Sequence, residues 1–124
     1  MSQQIEIGGT RVLLLERSGP LLASPADSND FIGEAWSANA ELLAIPVERL
    51  GPDILNLRTR VGGEVFQKFA NYRLRCAIVG DVSAAIAGSN ALRDFVRETN
   101  DSPALWFVTH IDQLRVRLEA EARL

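Results

Sequence analysis

The stretch Arg58-Thr59-Arg60-Val61-Gly62-Gly63-Glu64 gathers two guanidinium groups, one hydroxyl and two adjacent glycines. Two kinds of chemistry use such a set. Free N–H groups at the positive end of a helix dipole, with arginines beside them, suit an anion or a phosphorylated Thr59. Alternatively, two residues that each weaken a helix by about 1 kcal/mol relative to alanine mark a close approach to the backbone, by a neighbouring element of the same fold or by another chain. No Gly-Lys-Ser/Thr ending follows, so the stretch is not a phosphate-binding P-loop. Downstream, Glu64, Gln67, Lys68 and Asn71 recur at helical spacing as a polar strip, open to being a recognition surface or a solvated face. Glu64 and Lys68 stand four apart, the orientation that favours a helix-surface ion pair worth about 0.3 kcal/mol.

A second group stands at predicted strand ends, where ligand sites of open α/β sheets gather. Asp81 follows Gly80 after an apolar run, and His110 follows the last one. Asp81 could orient a base, bind a cation or organise the next turn. His110 is the only histidine, which excludes a two-histidine metal site in one chain and leaves it equally open to being a first-turn helix residue. With Asp81 and His110, Ser83, Ser89 and Glu98 supply enzyme-like groups in number only, since no hydrolase elbow, phosphate loop or metal motif arranges them. The sequence therefore assigns no catalytic residue, no metal and no cofactor. Cys76, the sole cysteine, lies within apolar RCAIVG and is expected to be a buried, inert thiol without a disulfide partner.

The formal net charge of -3 and a pI near 5.1 offer no electrostatic footprint for nucleic acid or anionic lipid. All basic residues but Lys68 are arginine, which reads as coding bias more than phosphate recognition. The start lacks the basic and long apolar regions of a signal peptide, and no apolar run approaches the roughly 18 residues of a membrane span. The expected setting is the cytoplasm, with neither nucleic acid nor membrane as partner. A length of 124 residues and 47% hydrophobic content suit a single domain over 1–124.

The elements that would position these groups follow from periodicity. Ile5 and Ile7, a turn at Gly8-Gly9, and Val12 to Leu15 form an opening hairpin. Ser24-Pro25 with Asp27 starts a helix carrying Phe31, Ile32, Ala35 and Trp36, which should end near Asn39. ELLAIPV is a short buried strand, ERLGPDILNLRTR a connection, and RCAIVGD a central strand after the glycine-led helix. VSAAIAGS reads as loop. Ser89 or Asn90 caps a helix with Leu92, Phe95 and Val96 inward and Asn100 at its end, and ALWFVT is the last strand. Thr109 to Asp112 fits a capping box for a final helix with Ile111, Leu114, Leu118 and Ala122 on one stripe. Trp36 and Trp106 are expected in the core, a surface-exposed Trp36 being instead an interface anchor. RVRLEAEARL is amphipathic and could pair with a second copy. The order is ββαβαβαβα: an α/β fold with about five strands in a mixed, mostly parallel sheet and about four helices.

GGEVFQKFANYRLRCAIVGD, LRDFVRETN and WFVTH resemble the bacterial family called domain of unknown function 4180. The likeness runs roughly from Ile5 to Leu118 and is most specific at Gly63-Glu64, Gln67-Lys68-Phe69, Asn71-Tyr72, Ala77 to Asp81, Asp94-Phe95, and Glu98 with Asn100. The resemblance implies a recognisable unit without assigning a reaction. The element order is also similar to that of STAS domains, the sulfate-transporter and anti-sigma-factor-antagonist fold, in which a loop serine before a helix is phosphorylated to release a protein partner. LRTRVGGEV takes the corresponding place, with Thr59 its only hydroxyl, Arg58 where that family has aspartate, and no Ser-Gly pair. The expectation is a STAS-like regulatory module that binds another protein through Arg58, Thr59, Arg60, Gly62, Gly63, Glu64, Gln67, Lys68 and Asn71, with a homodimer as a further possibility. Its alternatives are a small-molecule or anion sensor at the helix start or near Asp81 and His110, and an enzyme using that last pair.

Overall fold

Gly8 and Gly9 hold φ of 57° and 85°, the left-handed pair that a two-residue type I′ hairpin requires. They join β1 (Gln3–Ile7) to β2 (Thr10–Leu14), antiparallel, with Ile5 opposite Val12. The computed structural model describes residues 2–123; Met1 and Leu124, which end the amino-terminal and RVRLEAEARL stretches read above, lie outside the described residues. Three further strands, β3 (Leu42–Pro46), β4 (Arg75–Val79) and β5 (Leu105–Val108), run parallel to β2 in the order β1-β2-β3-β4-β5. The mostly parallel five-stranded α/β sheet expected from the apolar runs is thus what forms.

The strand period of two sorts the core into two layers. Leu13, Leu43, Ile45, Cys76, Ile78 and Phe107 face one way, where they pack against α1 (Ser28–Ser37), α2 (Val61–Asn71) and α4 (Asn90–Asn100) through Phe31, Ile32, Val65, Phe69, Leu92 and Val96. Val12, Leu42, Ala44, Ala77, Trp106 and Val108 face the other way, against Leu114 and Leu118 of α5 (Ile111–Ala122). Consecutive parallel crossovers that step across a sheet in one direction place their helices on one face. Only α5, after the last strand, is free to cover the reverse. There it reaches back to the hairpin, where a Cβ on Gly8 would meet the Leu118 carbonyl oxygen at 2.8 Å.

Several elements differ from the sequence reading. VSAAIAGS is not a loop: Ser83–Ala87 form a short helix, α3, so the α-helices number five among the described residues. Alanine-rich sequence favours helix once the Asp81 side chain accepts the Ser83 N–H at 2.8 Å. The regular part of α1 starts at Ser28, although Ser24 and Asp27 do form the reciprocal cap: Asp27 accepts from Ser24 N at 3.0 Å, and Ser24 Oγ from Asp27 N at 3.4 Å. Asn39 takes a left-handed φ of 55° just beyond it. The Thr109–Asp112 box does not form; His110 is the N-cap of α5, and Gln113 accepts the Thr109 N–H at 2.7 Å. Ser89 caps α4 as expected, accepting from Leu92 N at 3.1 Å.

Arg49 gave no signal in the sequence and is 6% exposed. It donates to the carbonyls of Pro20 and Glu16 at 2.7 and 3.1 Å and lies 5.2 Å from the Phe31 ring, which pins the loop after β2 to the helical layer.

Candidate functional site

The two glycines at the start of α2 do different things. A Cβ on Gly62 would fall 2.1 Å from the Ile54 carbonyl oxygen, so Gly62 is there for packing against the connection. A Cβ on Gly63 would meet nothing within 4 Å. The close approach inferred from the pair belongs to Gly62, and Gly63 leaves a gap on an open surface.

The lead-in to α2 is built by Thr59 and Arg60. Thr59 Oγ1 shares its proton between the carbonyls of Asp53 and Asn56, at 2.9 and 2.8 Å, and accepts the Val61 N–H at 3.3 Å. One of the free N–H groups expected for an anion is therefore already used. Arg60, at φ 63°, turns the chain into the helix. Its side chain joins Leu57, Gly63, Glu64, Gln67, Lys68, Asn71, Tyr72 and Phe95 around a shallow groove of about 930 Å³ along α2. Leu57, Tyr72 and Phe95 supply apolar lining, and charged or amide groups supply the rest.

Of the proposed contact residues, Arg60, Gly63, Glu64, Gln67, Lys68 and Asn71 come together in this groove. Thr59 and Gly62 lie at its head as structural parts. Arg58 lines a separate hollow with Ala84 and Ala85 of α3. The expected Glu64–Lys68 ion pair is absent from the described ion pairs; Lys68 instead reaches back to the Pro25 carbonyl at 3.4 Å, toward α1. Gln67 donates to Asn71 at 2.9 Å, which orders the middle of the strip.

Trp36 is not core. It is 58% exposed and meets Tyr72, itself 45% exposed, edge-on with ring centroids 5.3 Å apart. On a helical wheel Trp36 stands about 90° from the middle of the stripe made by Phe31, Ile32 and Ala35, so it falls on the flank of α1 that meets α2. Phe66 of α2 stacks on Phe95 of α4 at 6.3 Å on the other side. Sequence reasoning missed Tyr72, Phe95 and Leu57 as groove residues because their apolar character signals burial equally well.

Asp81 and His110 also share a cleft, of about 1070 Å³, at the carboxyl ends of the parallel strands. Here the connections part: the chain leaves β4 toward α3 and α4 on one face and leaves β5 toward α5 on the other. Asp81 serves the turn into α3, and bonds from the Ser83 hydroxyl and N–H hold its carboxyl below the usual range. His110, Asp112, Glu48 and Arg17 line the same cleft, with Arg17 and Glu48 3.8 Å apart. Among the described residues no group of three or more His, Cys, Asp or Glu could hold a metal ion. Cys76 is buried, and burial pushes its thiol far up, away from nucleophilic use.

The fold and these surfaces define a mixed α/β domain with a polar-rimmed groove over its central helix. The chain belongs to the family described as domain of unknown function (DUF4180), whose model matches residues 7–118. No curated protein and no solved structure matches it. Among the described residues no helix is long and apolar enough to cross a membrane.

Proposed function

We propose that this domain is a non-catalytic, STAS-like regulatory module that acts by binding another protein chain through the α2 groove. One observation carries the reading: Gly63, Glu64, Gln67, Lys68, Asn71, Tyr72 and Phe95, all named above as positions where the family resemblance is most specific, line one exposed groove. A solvated face needs neither an open glycine nor two half-exposed aromatic rings at its end, whereas interfaces favour aromatic anchors with a polar rim. Trp36 and Tyr72 supply the anchor, and Gly63 the room for a partner's side chain. Phosphorylation of Thr59 would replace the three hydrogen bonds of its hydroxyl with a dianion and loosen the start of α2, a route by which binding is switched. The test is affinity capture of the tagged protein from its host's lysate, wild type beside Gly63→Arg, with unfolding curves on both. A partner held by the wild type and lost by an equally stable variant supports the reading; retention by the variant sinks it.

The cleft at the strand ends favours a second reading, a small-molecule sensor using Asp81 and His110. It expects a thermal shift with phosphate-containing metabolites that His110→Ala removes. A broad metabolite panel without any shift would dismiss it.

A further inference from the structure

We propose that the chain on the α2 groove is a second copy of this protein, with the two α2 helices antiparallel across a twofold axis. This deepens the protein-binding reading above and rests on it. Glu64 and Lys68 are well placed to pair within the helix and do not, and Lys68 keeps only a 3.4 Å contact to the Pro25 carbonyl. Along α2 the charges run Arg60, Glu64, Lys68, and the helix ends next to the exposed Tyr72 ring. An antiparallel register that sets Glu64 opposite Lys68 of the second copy sets Lys68 opposite the other Glu64 by symmetry. The same register lays Arg60 over Tyr72 of the second copy, a cation–π pairing that also places a cation at the negative end of the facing helix. Gly63, where a Cβ would meet nothing within 4 Å, leaves the groove open to the approach of the facing helix. A parallel pairing would put like charges together. The flanks, Trp36 on α1 and Phe95 on α4, lie on either side of α2 and widen the contact across three helices.

The pairing is tested by sedimentation equilibrium on wild type, Glu64→Lys, Lys68→Glu and the double charge swap, with thermal unfolding of each as the folding control. A wild-type dimer is expected, at least tenfold weaker dimerisation in each single reversal, and recovery in the double swap, which leaves net charge unchanged. A wild type that stays monomeric at the highest attainable concentration overturns the self-pairing. So does a dimer indifferent to the single reversals, or one that the double swap fails to restore. A monomer whose α2 face still captures a different protein from lysate overturns the second copy as occupant and leaves the protein-binding reading standing.

Discussion

Alanine at position 62 and alanine at position 63 should move stability in opposite directions, although the two are neighbouring glycines in one helical turn. At 62 the new methyl would sit 2.1 Å from the backbone oxygen of Ile54, a residue only 1% exposed, and neither can yield without shifting the connection. Overpacking of this kind costs about 1–3 kcal/mol. Because the obstacle is main chain, the upper end applies, less about 1 kcal/mol gained from helix propensity, for a net loss near 2 kcal/mol. At 63 there is no obstacle, so the propensity gain of about 0.5–1 kcal/mol stands alone. With an unfolding entropy of about 2.1 cal/mol/K per residue over 124 residues, 1 kcal/mol corresponds to about 4 °C. Circular dichroism melts should therefore place Gly62→Ala about 8 °C below wild type and Gly63→Ala about 2–4 °C above it, with urea midpoints in the same order. Shifts of the same sign at both sites would refute the division of roles between the two glycines.

Replacing Arg60 by glycine should raise stability by about 0.5–1 kcal/mol, since φ of 63° costs a side-chain-bearing residue about 1 kcal/mol or more, while removing one of the groove's two cations; chemical denaturation reads the gain. Asn100 Oδ1 accepts the Phe107 N–H of edge strand β5 at 2.6 Å, so Asn100→Ala should cost about 1–3 kcal/mol, and Asn100→Asp, which keeps the acceptor, should cost clearly less. The Asp81 carboxyl, followed by NMR, should titrate below its ordinary value of 3.8 and move back upward in Ser83→Ala, which removes the hydroxyl bond and keeps the N–H. A folded-state value below the unfolded one means that this contribution to stability is present above the unfolded pKa and is lost as pH falls through the folded one. Cys76 should resist a thiol reagent in the native state and react at the rate of global opening, because its thiol is both buried and held protonated.

Local chemistry accounts for much of what was legible. The Gly8-Gly9 turn, the Ser24–Asp27 cap, the Ser89 cap and the runs of β3, β4 and β5 declare themselves because glycine stereochemistry, capping hydroxyls and apolar period act over a few residues. The near-continuous apolar runs of β3 and β4 likewise require two covered faces. Periodicity marks a side chain as apolar-facing without saying which neighbour will cover it, so Trp36 read as core although it lies at the junction of α1 and α2, half open to solvent. For the same reason Glu64 and Lys68 read as a pair, while the loop before α1 supplied Lys68 with another acceptor.

By itself the sequence determined the α/β class, the mostly parallel sheet and the helix bearing the polar strip, since each depends on short-range pattern and turn chemistry. Only the tertiary structure decided which glycine is packed and which is open, because that depends on where the Ile54 carbonyl lies, eight residues before Gly62 and on a different element. It also decided that Tyr72 and Phe95 join the polar strip in one groove and that Asp81 and His110 share a cleft. Those groupings arise from crossovers that stack α1, α2 and α4 on one face and send α5 to the other, a long-range consequence that no local pattern carries.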